Sequence, residues 1–175
     1  MEQEIKVYLE YIHNNLENCK IISSFSCLGK TYVGNKYNNV LDLEASWYKW
    51  IYYDDKIAND VEKRKGITDR VLNPEYPTNY FRAIKENILK YDVILITPEE
   101  SIRQILLKYK ISYYYAFPTN SRFVVNRALK RGNNEYFALG LNKSYKSWYP
   151  KNNENVLWVK EEQFLEDVLK SKGII

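Results

Sequence analysis

The alternation of apolar and polar residues along the chain predicts a succession of helices and strands. Ile5, Leu9 and Ile12 recur at helical spacing, so residues 2 to 17 are expected to form an amphipathic helix against the core. Residues 93 to 96 form a continuous apolar run, which is typical of a parallel strand buried on both faces. The same pattern predicts strands near 20–25, 40–43, 93–96, 111–117 and 155–159, and helices near 2–17, 30–36, 81–88, 99–109, 121–131, 135–148 and 164–169. Strands that alternate with helices indicate βαβ units and a mainly parallel sheet.

Residues 52 to 73 interrupt this pattern. The segment is charged, carries little apolar periodicity and closes with Asn73-Pro74, so it is expected to be an excursion on the surface.

At 175 residues the chain suits one domain, and a domain of this size buries roughly 70% of its unfolded surface without disulfides or metals. Residues 1–175 are therefore predicted to form a single α/β domain with an insertion at 52–73.

Charge and composition narrow the functional classes only slightly. The 26 Lys and Arg against 22 Asp and Glu give a formal charge of +4. Because these charges are scattered along the chain, they are compatible with a nucleotide or nucleic-acid ligand but do not require either. The 17 tyrosines and four tryptophans suit base stacking and interfaces, and they equally suit half-buried packing.

The cysteine and histidine content argues against a metal cluster or a Cys/His catalytic pair. The chain has two cysteines, Cys19 and Cys27, and one histidine, His13, which is expected on a helix surface. The sequence shows no signal peptide and no apolar run of about 18 or more residues. A reduced, soluble, cytoplasmic protein without membrane contact is expected.

One stretch carries specific chemistry, Ser24-Phe-Ser-Cys-Leu-Gly29-Lys30-Thr31, and it follows a predicted strand. A phosphate-binding loop has the pattern G-x-x-x-x-G-K-[ST], in which backbone N–H groups and the lysine bind phosphates and the hydroxyl binds Mg²⁺. Gly29, Lys30 and Thr31 match three of the four fixed positions, and Ser24 stands where the first glycine belongs. The strand before and the helix after favour a phosphate loop. A surface turn that ends in Gly-Lys-Thr by chance is the alternative.

The order of the motifs resembles that of the small P-loop kinases, the nucleoside monophosphate kinase-like and polynucleotide kinase-like proteins, including short forms common in bacterial viruses. The matching segments cover most of residues 20 to 137 and are SSFSCLGKTY, LDLEASWYKW, NPEYPTNYFRAIKENI, YDVILIT and NRALKRGNNEYF. The resemblance implies a three-layer P-loop sandwich with a five-stranded, mainly parallel sheet of order 2-3-1-4-5 and a helical lid. It also implies transfer of the γ-phosphoryl group of ATP.

ATP and Mg²⁺ are the expected ligands of the loop. Lys30 is the expected catalytic cation, and the Thr31 hydroxyl is expected to bind the metal. The residues expected to contact ATP form one run, Ser26, Cys27, Leu28, Gly29, Lys30, Thr31 and Tyr32.

Asp42 and Glu44 are the candidate acids. They lie two residues apart on an extended segment and so point the same way, off the carboxyl edge of the sheet. In the family that the sequence resembles, such an acid activates a hydroxyl acceptor or holds Mg²⁺. Asp42 is therefore assigned to catalysis and metal binding, and Glu44 to acceptor binding; a solvated loop is the alternative. Trp47, which is followed by Tyr48 and Trp50, is either a base-stacking wall for the acceptor or part of the helix packing.

The third predicted strand departs from the pattern of the family. A Walker B strand usually ends in an acid, but this one ends in Thr97. Asp92 lies at the other end of the strand, about 16 Å away at about 3.3 Å per residue. Asp92 is therefore not expected to bind the metal, and the missing acid argues against ordinary ATP turnover.

Residues 119–133 are the predicted lid. Arg127 and Arg131 are four residues apart and share one helix face. Such a lid would bring positive charge over the transferring phosphoryl group; a solvated basic face is the alternative. For the acceptor, Arg82 is expected to meet the phosphate, with Asn79 nearby.

Three classes of function stay open on the sequence. An ATP-dependent phosphotransferase acting on a nucleotide or a nucleic-acid hydroxyl is favoured. A non-catalytic nucleotide-binding protein that acts through a protein partner fits Ser24 and the missing acid. Nucleic-acid binding through tyrosines and basic residues lacks a recognition motif.

Overall fold

A computed structural model describes residues 2–64, 67 and 69–175 of the chain. The strands are β1 (Lys20–Ser24), β2 (Val40–Asp42), β3 (Trp50–Tyr52), β4 (Arg70–Leu72), β5 (Val93–Ile96), β6 (Tyr114–Pro118) and β7 (Asn155–Val159). The helices are α1 (Glu2–His13), α2 (Lys30–Lys36), α3 (Ser46–Lys49), α4 (Asp55–Ala58), α5 (Val61–Arg64), α6 (Thr78–Asn87), α7 (Glu100–Lys108), α8 (Ser121–Lys130), α9 (Glu135–Ser147) and α10 (Leu165–Ser171).

Five strands form one parallel sheet in the order β2-β5-β1-β6-β7. Ile22 of β1 lies beside Leu95 of β5 on one side and Tyr114 of β6 on the other. All four residues of β5 are buried, as expected for a strand covered by helices on both faces. The prediction of an α/β protein with a parallel sheet is confirmed.

Two further strands lie outside this sheet and change the strand count. β3 and β4 pair antiparallel in a separate two-stranded sheet, which the sequence pattern did not predict. Numbered along the whole chain, the order of the parallel sheet therefore differs from the expected 2-3-1-4-5. When β3 and β4 are left out of the numbering, the five parallel strands follow 2-3-1-4-5.

The segment 52–73, predicted to be a surface excursion, contains α4, α5 and β4. It buries Tyr52 and Arg64, and the Arg64 guanidinium donates to the carbonyl of Ser46 in α3. Residues 65, 66 and 68 of this segment lie outside the described residues. The described part of the insertion is therefore folded against α3.

The helices pack in pairs on the sheet. α1 packs against α6, α2 against β2 and α10, and α8 against α9, which is compatible with a three-layer sandwich.

The helix predicted over residues 2 to 17 ends at His13, because the next residues, Asn14 and Asn15, favour turns over helix. His13 is exposed, as expected. Across residues 2–64, 67 and 69–175, no helix has both the length and the apolar character needed to cross a bilayer.

Candidate functional site

The predicted phosphate loop joins β1 to α2 at the carboxyl edge of the sheet. Cys27 and Gly29 adopt positive φ angles of 63° and 104°, and glycine takes this conformation without steric cost. Phe25 and Leu28 anchor the loop with buried side chains. The Phe25 N–H donates to the carbonyl of Ala116 in β6 over 2.9 Å. The loop is therefore held firmly against β6 and the core.

The loop carries backbone donors that the described residues leave unused. None of the N–H groups of residues 26 to 31 donates to a backbone carbonyl in the described part of the chain. Runs of unpaired N–H groups in such turns are the donors from which protein anion sites are built. The loop therefore has the backbone property that the sequence motif requires.

Lys30, the first residue of α2, lies beside both predicted acids. Its Nζ forms an ion pair with Asp42 Oδ1 and lies 3.3 Å from Glu44 Oε2. The side chains of Lys30 and Asp42 are 15% and 14% exposed, whereas Glu44 is 46% exposed. The structure thus brings together the cation and the two carboxylates that the sequence singled out.

Gly34 permits this close approach. A Cβ atom at position 34 would lie 2.7 Å from Asp42 Cβ and 3.1 Å from the Asp42 backbone nitrogen. Gly34 is one helical turn after Lys30, so both face the same strand. Gly34 was not among the residues predicted for the site, although a glycine inside a helical segment is a signal of close packing.

The charge of Lys30 is reflected in the pKa of Glu44. Burial raises the pKa of this carboxyl, but the Lys30 ammonium and hydrogen bonds from Lys30 and Ser46 outweigh it, so the pKa lies below the ordinary value of 4.5. The Ser46 N–H donates to Glu44 Oε1 over 3.2 Å. Glu44 is thus held ionised between α2 and the start of α3.

Thr31 and Asp42, the predicted metal ligands, both offer oxygen atoms, which Mg²⁺ prefers. Thr31 is exposed in the first turn of α2.

At the end of β5, the Thr97 hydroxyl accepts from the Glu99 N–H over 3.4 Å. Asp92, at the opposite end of this strand, accepts from Asn39. Among the described side chains, no group of three or more His, Cys, Asp or Glu is arranged to hold a metal ion.

Glu99 is an acid of this edge that the sequence analysis missed. Its Oε1 lies 2.8 Å from Lys49 Nζ, and the Tyr76 hydroxyl donates to its Oε2 over 3.2 Å. Burial and the charges of Glu99 and Glu44 together raise the pKa of Tyr76, so both carboxylates act on the same hydroxyl. The sequence signal that could have identified Glu99 is the presence of an acid in the loop just after a buried strand.

The predicted lid arginines lie near the phosphate loop. Burial raises the pKa of the Cys27 thiol, and the positive charges of Arg131 and Arg127 lower it in part. Both guanidinium groups are therefore within electrostatic range of the loop. Residues 121 to 130 form helix α8, which packs against α9.

Arg127 is already engaged by the segment that precedes α10. Its Nη2 donates to the carbonyls of Glu161 and Gln163, each over 2.8 Å, and its guanidinium lies 4.0 Å from the Phe164 ring centroid. Its Nη1 is buried and has no hydrogen-bond partner within residues 2–64, 67 and 69–175. Burial lowers the pKa of Arg127, as expected for a partly desolvated cation.

The same segment covers the predicted phosphate loop. The Phe164 side chain lies 3.5 Å from the position that a Cβ on Gly29 would take. The Leu165 N–H donates to the Leu28 carbonyl over 2.8 Å. The C-terminal segment therefore borders the site, which the sequence analysis did not anticipate.

The remaining predicted ATP contacts are accessible at the loop and α2. Ser26 is half-buried, and Tyr32 is exposed with its hydroxyl 3.1 Å from Lys36 Nζ. Leu28 differs from them, because its side chain is buried.

The predicted acceptor residues separate into two groups. Trp47 lies in α3, and Asn79 Nδ2 donates to the Tyr48 carbonyl in the same helix. Arg82 is engaged by α1 instead, because its guanidinium donates to Tyr8 and pairs with Glu4 over 3.0 Å. Trp47 and Asn79 therefore border α3, whereas Arg82 ties α6 to α1.

No family model, no curated protein and no solved structure matches the chain. The function of the site must therefore be inferred from its own residues and their geometry.

Proposed function

We propose that the protein is an ATP-dependent phosphotransferase of the P-loop kinase kind, acting on a nucleotide or on a nucleic-acid hydroxyl or phosphate. The observation that carries the proposal is the contact of Lys30 with Asp42 and Glu44 directly after the Ser24–Thr31 loop. A lysine that follows a run of unused N–H groups supplies the cation and the donors that bind a polyphosphate. A five-stranded parallel sheet, whose order is 2-3-1-4-5 only when β3 and β4 are left out of the numbering, supports the same assignment.

Lys30 exchanges partners when ATP binds. Its ammonium leaves the carboxylates for the β- and γ-phosphates, which frees Asp42 to take the proton of a hydroxyl acceptor. The acceptor oxygen then forms a bond to the γ-phosphorus, while the bond from that phosphorus to the β–γ bridging oxygen breaks and ADP leaves. Glu44 keeps its hydrogen bond from Ser46 and orients α3 beside the acceptor.

The metal and the lid complete the site. The chemistry that Mg²⁺ supplies when bound is neutralisation of the phosphate charge, and Thr31 and Asp42 are the residues assigned to hold it. Arg131 and Arg127 add positive charge near the loop. The buried Nη1 of Arg127, which has no partner among the described residues, is a donor suited to a phosphate oxygen.

A non-catalytic nucleotide-binding protein is the second candidate, and two observations favour it. Ser24, in the place of the first loop glycine, is buried and its hydroxyl donates to the Phe25 carbonyl over 3.3 Å. β5 is followed by Thr97, where the related kinases usually place an acid. A protein of this class would bind ATP without transferring phosphate.

The decisive experiment has two parts. ATP affinity is measured by calorimetry, and turnover is measured as ADP release in the presence of nucleoside monophosphates or 5′-hydroxyl oligonucleotides as candidate acceptors. Lys30→Ala is expected to weaken ATP binding by about 2–4 kcal/mol, whereas Lys6→Ala, which removes an exposed lysine paired with Glu10 inside α1, leaves it unaltered. Asp42→Asn is expected to lower turnover far more than ATP affinity. Equal ATP affinity of Lys30→Ala and the parent contradicts the phosphate loop. ATP binding without turnover on any acceptor establishes the non-catalytic function.

A further inference from the structure

The insertion contains a buried arginine with unused donors. Arg64, the last residue of α5, is 7% exposed. Its Nη2 donates to the Ser46 carbonyl over 3.1 Å, but its Nε and Nη1 are buried without a hydrogen-bond partner in the described part of the protein. A guanidinium stays charged at all ordinary pH values, so unpaired buried N–H groups destabilise the fold unless a ligand accepts them.

Aromatic rings cover the faces of Arg64 and leave the edge formed by Nε and Nη1 without a hydrogen-bond partner among the described residues. Its guanidinium carbon lies 3.9 Å from the Trp47 ring centroid and 4.7 Å from the Tyr52 centroid. Such cation–π contacts offset part of the desolvation of the charge. They do not supply the oxygen atoms that the N–H groups in the guanidinium plane require.

Arg70 provides an internal comparison. It belongs to the same group of stacked side chains, with its guanidinium 4.2 Å from the Trp50 ring centroid. Its Nη1, however, donates to the Tyr52 hydroxyl over 3.0 Å. Stacking in this insertion is therefore compatible with a paired arginine, and the unpaired edge is particular to Arg64.

The unpaired edge of Arg64 lies beside α3, the helix that follows the acid pair. Ser46, which accepts from Arg64, donates its own N–H to Glu44. Asn79, which donates to Tyr48 of the same helix, has a buried Oδ1 without a partner in the described residues. An unpaired donor and an unpaired acceptor thus both border α3.

We propose that Arg64 binds the phosphate of the acceptor, and that the acceptor is a nucleoside 5′-monophosphate whose base stacks on Trp47. The inference rests on the proposed phosphotransferase function and specifies its substrate. A guanidinium fork matches two phosphate oxygens. Trp47 is 42% exposed, and stacking on an aromatic ring is the usual contact for a base. Because Arg64 Nε and Nη1 are buried, the side chains that cover this edge move aside when the acceptor binds.

The chemistry of such an acceptor is simpler than that of an alcohol. A monophosphate loses its second proton at a pKa of about 6, so its oxygen attacks the γ-phosphorus at neutral pH without a base. The new phosphorus–oxygen bond forms, the bond to the β–γ bridging oxygen breaks and ADP leaves. Asp42 then holds the metal and removes no proton.

The test measures binding of nucleoside 5′-monophosphates and of the matching nucleosides by calorimetry, with and without a non-hydrolysable ATP analogue. The parent is expected to bind one or more monophosphates roughly 10- to 100-fold more tightly than the nucleoside. Arg64→Gln removes this preference and Arg64→Lys retains part of it, whereas Arg70→Gln leaves it intact. Trp47→Leu weakens binding of both the monophosphate and the nucleoside.

Thermal midpoints of the ligand-free variants separate binding from folding. A folded Arg64→Gln protein that keeps the preference overturns the inference, as does equal loss in Arg64→Gln and Arg70→Gln. If Arg64→Gln does not fold, the loss of preference is read from Arg64→Lys, and an unchanged preference there overturns the inference. Tighter binding of a 5′-hydroxyl oligonucleotide than of any monophosphate also overturns it. Binding of the ATP analogue to the parent and to Lys30→Ala tests the proposed function separately. Failure of the proposed function can therefore be distinguished from failure of this inference.

Discussion

At the scale of single residues, the site depends on one lysine that two carboxylates share. Lys30 contacts Asp42 and Glu44, and the three side chains neutralise most of each other's charge while no phosphate is bound. Because Glu44 is half-exposed, water screens its part of the interaction. The more buried Asp42 is therefore the stronger partner, and under the proposed function its release is the larger electrostatic change on ATP binding.

This arrangement predicts the direction of a pKa change. In Lys30→Met the pKa of Glu44 should rise relative to the parent, because burial raises it and the opposing ammonium is gone. The lowered pKa in the parent contributes stability above about pH 4.5, and that contribution is lost as the pH falls through the folded-state pKa. NMR titration of the Glu44 carboxyl carbon, assigned with Glu44→Gln, measures the change. An unaltered pKa in Lys30→Met contradicts the shared ion pair.

At the scale of elements, the contact of α2 with β2 positions the acid against the lysine. Gly34 leaves no side chain between the helix and Asp42, so Lys30, one turn earlier, reaches the carboxylate. α2 is also tied to α10, because Glu166 pairs with Lys36 over 2.8 Å. The helix is thus fixed on two sides, and the loop before it has little freedom to shift.

A pair of glycine substitutions tests this contact. Gly140→Ala in α9 meets no atom within 4 Å and should stabilise the protein by up to about 1 kcal/mol through helix propensity. Gly34→Ala should instead destabilise it by about 1–3 kcal/mol, because its Cβ would lie 2.7 Å from Asp42 Cβ. Urea unfolding gives both free energies. Stabilisation by both substitutions would show that α2 does not press on β2.

At the scale of the whole molecule, a buried ion pair joins α7 to the start of β7. Arg103 Nε lies 2.8 Å from Glu154 Oε1, and both side chains are 1% exposed. Arg103 also donates to the Pro98 carbonyl over 2.8 Å, next to Glu99 at the edge of the site. The pair therefore fixes the outer strand and the loop that follows β5.

Removal of one partner should be costly because the other remains buried and charged. Arg103→Met is expected to lower the free energy of unfolding by about 3–5 kcal/mol. Adding Glu154→Gln should restore part of the loss. Lys108→Ala, which removes an exposed pair with Glu2, should change stability by about 1 kcal/mol or less. Denaturant unfolding of the four proteins gives the comparison, and a loss no larger for Arg103→Met than for Lys108→Ala contradicts the assigned role.

Much of the architecture follows from local pattern. Residues 93–96 and 155–159 form strands as predicted, and the loop with Lys30 joins the first strand to a helix. These features depend on apolar runs and on turn residues, which act over a few neighbouring positions. The pattern missed β3 and β4 because their apolar residues do not fill the main core. Trp50 and Tyr52 of β3 stack with arginines, and Val71 and Leu72 of β4 are exposed.

The sequence by itself determined the class of the fold, the position of the loop and the residue types of the site. Only the tertiary structure decided which of them meet. Lys30 contacts Asp42 because α2 packs on β2 through Gly34, whereas Arg82 pairs with Glu4, 78 residues away along the chain. Arg127 is bound by the segment before α10, and Arg64 lies between Trp47 and Tyr52. Local periodicity records that a side chain is buried or charged, but its partner is selected by the packing of distant elements.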